Sequence, residues 1–197
     1  ITADLGLQQG NNLFHSFNTF DINTLETAIF SGPNSISNII SRVTDGKTSF
    51  IDGKIQSTIT DANFYFLNPG GIMFGPNASL DVTGSFHASA GDYLLFTDNS
   101  FFYADPAKVS ILTIAPPAAF GLLSDNPATL TASGSLLSVP KGEYISLSGG
   151  NITLDNANLF GQSGHISLAA PGGTVTINRT KTPPSYNSNM MVADLEA

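Results

Sequence analysis

The residues of this chain that could carry chemistry are three histidines, 15 acidic side chains against seven bases, and several glycine-rich turns. His15, His87 and His165 are each isolated in sequence, and no His-x-His or His-Glu pair offers metal-ligand spacing. His87 and His165 sit beside apolar neighbours in alternating segments, which predicts surface-facing strand positions. A glycosidase or lyase needs two or three acids gathered at one spot. Here Asp45, Asp52, Asp61, Asp92, Asp98, Asp105, Asp125 and Asp155 fall singly at turns, where side-chain bonds to the backbone explain them. Only Asp81 lies inside an alternating segment, and no Asp-x-Asp pair occurs. Ser148-Gly149-Gly150-Asn151 and Ala170-Pro171-Gly172-Gly173 lack the helix that must follow a phosphate-binding loop. With no cysteine there is no disulfide, thiolate metal site or cysteine nucleophile. The reading is a non-enzyme without metal or small-molecule cofactor. A net charge of −8 with no basic cluster also argues against nucleic acid as a partner.

The elements that must position these residues are short. Charged residues make up only 11% of the chain, and Asn, Ser, Thr and Gly take their place, which suits turns and stacked strands. Apolar residues alternate in bursts bounded by Gly, Asn, Pro or Asp: Phe64-Tyr65-Phe66, Phe86-His87-Ala88, Ile145-Ser146-Leu147, Ile152-Thr153-Leu154, Ile166-Ser167-Leu168 and Val175-Thr176-Ile177. Ile145 and Leu147 recur as Ile166 and Leu168, 21 residues on, and Ile152 and Leu154 recur as Val175 and Ile177, 23 on. Phe64 and Phe66 recur as Phe86 and Ala88, 22 on. That period is the size of one coil of a parallel β-helix, with a regularly stranded β-sandwich as the structural rival.

Only Ser35–Val43 has helical spacing, and its β-branched residues favour a strand. Val109–Leu123 reads as two buried strands joined at Pro116-Pro117, too short to cross a bilayer. One domain over 1–197 is expected, divided into an N-terminal cap (1–30), coils with extra-helical strands (31–178) and a polar tail (179–197) leading into a longer exoprotein. The start at Ile1 is read as a removed signal peptide or a trimmed end.

Two segments carry a resemblance. Asn63-Phe64-Tyr65-Phe66-Leu67-Asn68-Pro69-Gly70-Gly71-Ile72-Met73-Phe74-Gly75-Pro76-Asn77-Ala78 is the first, and Ile39-Ile40-Ser41-Arg42-Val43-Thr44 with Ile51-Asp52-Gly53-Lys54-Ile55 is the second. Together they resemble the N-terminal secretion domain of the filamentous haemagglutinin family, exoproteins of two-partner secretion in Gram-negative bacteria. Asn11–Phe20 is similar to that family's early His-x-Phe-x-x-Phe segment, and Phe74-Gly75-Pro76-Asn77 is similar to its cyanobacterial branch. Gly70 stands where the family usually has Asn, and the family's Asn-Pro-Asn-Leu motif has no counterpart.

The resemblance implies a right-handed parallel β-helix with an N-terminal cap and extra-helical strands. It also implies a secreted or cell-surface protein that passes through the periplasm. Its partner would be an outer-membrane β-barrel transporter with periplasmic POTRA domains, and the domain itself would be a monomer that nucleates folding of the exoprotein. Asn68, Pro69, Gly70, Gly71 and Ile72 then become the recognition and turn motif, with Gly70 supplying the positive φ of a type II turn. His15, Phe17 and Phe20 become the cap, His15 anchoring its aromatics by a hydrogen bond. An adhesive or carbohydrate-binding β-helix is the alternative, favoured if Phe101, Phe102 and Tyr103 face solvent.

Overall fold

The computed structural model describes residues 1–179. A 3-10 turn at Ala3–Leu5 leads into β1 (Leu7–Gln9), β2 (Asn12–Phe17) and β3 (Thr27–Phe30). Two coils follow: β4 (Asn38–Val43), β5 (Ser49–Ile51) and β6 (Lys54–Ser57), then β7 (Asn63–Leu67), β8 (Ile72–Phe74) and β9 (Ser79–Asp81). The next coil begins with β10 (Phe86–Ser89) and is interrupted by β11 (Tyr93–Phe96), β12 (Phe101–Tyr103) and β13 (Pro117–Gly121). It resumes as β14 (Leu130–Ser133) and β15 (Leu136–Val139). The last strands are β16 (Tyr144–Ser148), β17 (Ile152–Asp155), β18 (Asn158–Gly161), β19 (His165–Ala169) and β20 (Val175–Asn178).

Three sheets run along the stack, in the orders β1-β2-β4-β7-β10-β16-β19, β20-β17-β14-β8-β5 and β18-β15-β9-β6-β3. Every pairing in them is parallel except that of β1 with β2. The protein is a β-solenoid of stacked parallel coils, and the sandwich rival is ruled out. The spacings read from sequence are true registers: Phe64 pairs with Phe86, Ile145 with Ile166, and Ile152 with Val175. Because side chains alternate along a strand, every second residue points inward and stacks on its equivalent one coil away. Leu13, Ile39, Phe64, Phe86, Ile145 and Ile166 form one such column. Phe64 and Phe86 stack at 5.9 Å, and each fully buried side chain of this kind contributes roughly 1.5–3 kcal/mol.

One reading stands and two change. Ser35–Val43 does yield a strand, β4, as its β-branched content argues. The coil ladder, however, already starts inside residues 1–30, where β2 pairs in parallel with β4 and β3 with β6. Leu13 reaches Ile39 across 26 residues, because longer corners stretch the first coil and hide it from a search for a period of 22. Val109–Leu123 is not two buried strands. It gives only β13, while Val109, Ile111, Ile114 and Leu123 are exposed. This stretch lies outside the solenoid and has a core on one side only, so half of its apolar residues face out. The tail lies outside the described residues beyond Arg179.

The β11–β13 insert forms its own antiparallel sheet, ordered β12-β11-β13. It lies over the outer face of the first sheet, where Leu94, Phe96 and Phe102 bury Phe14 and Ile40 in a second apolar cluster.

Candidate recognition turn and the polar ladders around it

The Asn68–Ile72 segment turns the third coil from the first sheet into the second. The Gly71 amide donates to the Asn68 carbonyl at 3.0 Å, which closes a four-residue turn. The positive φ belongs to Gly71, at 101°, and not to Gly70, so the turn is not type II. Gly70 is needed for a different reason. A Cβ there would lie 2.5 Å from the Lys47 carbonyl oxygen and 2.6 Å from the Gly46 backbone of the coil below. Gly70 in effect lets two corners touch.

Asn68 is completely buried. Its side-chain amide donates to the Lys47 carbonyl and to Ser49 Oγ, both at 2.9 Å, while its Oδ1 accepts the Gly70 amide at 2.8 Å. One side chain thus folds its own turn and fastens it to the preceding coil. Ile72 is also buried, leaving Pro69 and Gly70 half-buried as the motif's outer surface.

Sequence reading missed a second polar device. Asn38 Nδ2 donates to Asn12 Oδ1 at 2.8 Å, and Asn63 Nδ2 donates to Asn38 Oδ1 at 3.3 Å. Asn12 Nδ2 donates onward to the carbonyls of Thr113 and Ala115, at 2.9 and 2.7 Å. The available signal was an Asn directly before the first inward residue of three successive first-sheet strands: Asn12-Leu13, Asn38-Ile39 and Asn63-Phe64. The column continues through Ser85, whose backbone amide donates to Asn63 Oδ1 and whose hydroxyl donates to Glu143.

At another corner Asp52 accepts from the Thr24 hydroxyl and from both the backbone and the side-chain amide of Asn77. The Thr24 bond and then the Asn77 bonds hold this carboxyl below its ordinary range. Gly75 is required beside it, since a Cβ would lie 2.3 Å from Asp52 Oδ1. Phe74-Gly75-Pro76-Asn77, singled out in the sequence for its likeness, therefore has a structural task of its own.

Of the cap residues, His15 is buried, stacked on Phe17 at 5.9 Å and edge-on to Phe30 at 5.5 Å. Phe17 also meets Phe20 at 5.0 Å. Burial, and next the N-terminal charge, lowers the His15 pKa. Its Nε2 has no hydrogen-bond partner among the described residues, while a backbone hydrogen bond at Leu5 works against the lowering of the pKa, so packing and that bond hold the ring in place.

His165 is exposed as expected, but His87 is not. It points away from the solenoid core yet is covered, stacked on Tyr65 at 4.5 Å, with Phe120 against the other ring of the pair. Burial pushes its pKa down to about 4 from 6.5. A depressed folded-state value means that the unfolded chain takes up the proton first. Stability is therefore full above about pH 6.5 and declines as pH falls toward 4. We expect the thermal midpoint to fall across that window, and His87→Phe to remove most of the step; an unchanged slope in His87→Phe would contradict this assignment. His15 adds to the wild-type slope with the same sign.

Among the described residues no group of three His, Cys, Asp or Glu side chains could hold a metal ion, and no helix is long and apolar enough to cross a membrane. The fold and these corners define a class: a cysteine-free β-solenoid, locked by buried amide ladders and carrying an extra-helical sheet. The TPS secretion domain family model matches residues 2–196, and the chain belongs to that family. Membership makes it the secretion domain of an exported protein, a substrate type and not a member of a known enzyme family, and implies a partner transporter. Searches of curated proteins and of solved structures found no match.

Proposed function

We propose that this domain is the address read by a cognate outer-membrane β-barrel transporter through its periplasmic POTRA domains. After export it starts the coil on which a filamentous haemagglutinin-type exoprotein folds. We further propose a cyanobacterial-like branch, passage through the periplasm after signal-peptide removal, and a monomeric domain.

The observation that carries this reading is the complete burial of Asn68. Asn68, Gly71 and Ile72 are closed to a receptor once the coils have stacked and only Pro69 and Gly70 keep some exposure, so the whole motif is readable only in an extended or partly folded chain. Such a chain can add a strand to a receptor sheet through main-chain hydrogen bonds. Its composition suits passage in that state: no cysteine can lock it, and one ion pair, Lys47 with Asp45, is found among the described residues. The adhesive alternative needs an outward aromatic stripe, but Phe102 is buried against Phe14, and Phe101 and Tyr103 are half-buried, stacked on each other at 5.7 Å and against Tyr93.

Residues 1–197 fused to a passive reporter should reach the medium only when the transporter is present. The transporter's periplasmic part should bind the unfolded domain more tightly than the folded one, and Asn68→Ala should weaken binding of the unfolded chain. Export without the transporter would overturn the reading. Unchanged binding by unfolded Asn68→Ala would confine Asn68 to a folding role.

A further inference from the structure

We infer that residues 90–127 form a clasp that closes the first three coils late in folding, and that Arg42 is the residue that positions it. A simple solenoid gains stability coil by coil, because each repeat touches only its neighbours. This one does not. The insert leaves the stack after β10 and reaches back across coils made much earlier in the chain. Asn12 is bonded to carbonyls 101 and 103 residues away. Phe14 packs on Phe102 at 5.1 Å and on Phe96 at 6.0 Å, and Tyr65 meets Phe120 at 6.2 Å. Without the insert, Phe14, Ile40 and Tyr65 would present an apolar strip on the outer face of β2, β4 and β7.

Arg42 stands where the two parts meet. Its Nε donates to Ser16 Oγ on the neighbouring coil at 2.5 Å. Its Nη1 donates to the Tyr103 carbonyl at 2.5 Å and to Ser110 Oγ at 3.2 Å, both in the insert. The guanidinium also lies 4.5 Å above the Phe102 ring. No carboxylate pairs with it among the described residues, although acids outnumber bases in the chain. A half-buried arginine spent on neutral acceptors and a ring face is placed for geometry. The planar fork can donate to both parts while stacking, whereas a lysine offers one ammonium that cannot do both.

The first three coils therefore reach their final burial only when the chain is available through Phe120. In an export setting this would turn a gradual gain in stability into one late, cooperative step. That consequence rests on the proposed function; the clasp itself does not.

Hydrogen exchange on the whole domain tests the clasp without any transporter. In Arg42→Met the amides of Phe101–Tyr103 and Ile111 should exchange at least about tenfold faster, while those of β16 and β17 keep wild-type rates. Arg42→Lys should recover part of the protection. Ser110→Ala, a milder change at the same junction, should show the same local pattern even if Arg42→Met does not fold. Equal acceleration throughout the solenoid, or no acceleration in the insert, would overturn the inference. If the exchange pattern holds but Arg42→Met is exported at the wild-type rate, the clasp stands and its role in export falls.

Discussion

Gly70→Ala should lower the thermal midpoint by roughly 4–16 °C, and by clearly more than Gly71→Ala. The added Cβ meets backbone, not a yielding side chain: the Lys47 carbonyl at 2.5 Å and Gly46 at 2.6 Å. Neither atom can retreat without parting the corners of two coils, and Asn68 loses its bond to the Lys47 carbonyl if they part. Overpacking against fixed atoms costs about 1–3 kcal/mol, and the strained amide bond adds about another 1 kcal/mol. At Gly71 the problem is conformational. Its φ of 101° disfavours any side chain, but the nearest atom to an added Cβ, the Thr129 carbonyl oxygen, is 3.0 Å away. Gly46→Ala is a useful control, having a positive φ and open space. Thermal unfolding of the three variants should rank them Gly70, Gly71, Gly46 in order of damage. A Gly70 variant as stable as the Gly46 one would show that the corners are not in tight contact.

Asn38→Ala should destabilise the domain by about 2–4 kcal/mol, close to the effect of Gly70→Ala. Asn38 is the middle rung of the amide ladder. Removing it strips buried Asn12 Oδ1 of its donor and half-buried Asn63 Nδ2 of its acceptor. Each orphaned buried group costs about 1–3 kcal/mol. Asn38→Asp should do no better: it keeps an acceptor for Asn63 but sets a carboxylate against Asn12 Oδ1. Because Asn12 also holds the Thr113 and Ala115 carbonyls, the damage should spread into the extra-helical segment. Denaturant unfolding gives the free energy, and a loss no larger than for an exposed asparagine would remove the ladder from the stabilising features.

These two results test what could not be read in advance. The alternation of Ile145-Ser146-Leu147 with Ile166-Ser167-Leu168 fixed the pairing of β16 with β19, because a slip by one residue would turn the apolar set to solvent. The same logic placed Phe64 under Phe86, and β-branching made Ser35–Val43 a strand despite its helical spacing. Where the period stretches, as from Leu13 to Ile39, a search for a repeat of 22 does not show that β2 and β3 already pair with β4 and β6. Local turn chemistry identified Asn68-Pro69-Gly70-Gly71 as a turn but put the positive φ one residue early, since the need for glycine at position 70 comes from a neighbouring coil.

The sequence by itself determined the short strands, the approximate coil length and the likeness to a secretion domain, while alternation left a β-sandwich open and the resemblance pointed to the solenoid. These follow from local alternation and short motifs, which a single strand and its turn express without knowledge of what packs on them. Only the tertiary structure decided the rest. Stacking brings Asn12, Asn38 and Asn63 into one ladder, hides Asn68, and folds the insert back over Phe14 and Ile40, covering Tyr65 and His87 as well. Those contacts join residues separated by 19 to 103 positions, and no local pattern specifies which distant side chain will close an apolar face or accept a buried amide.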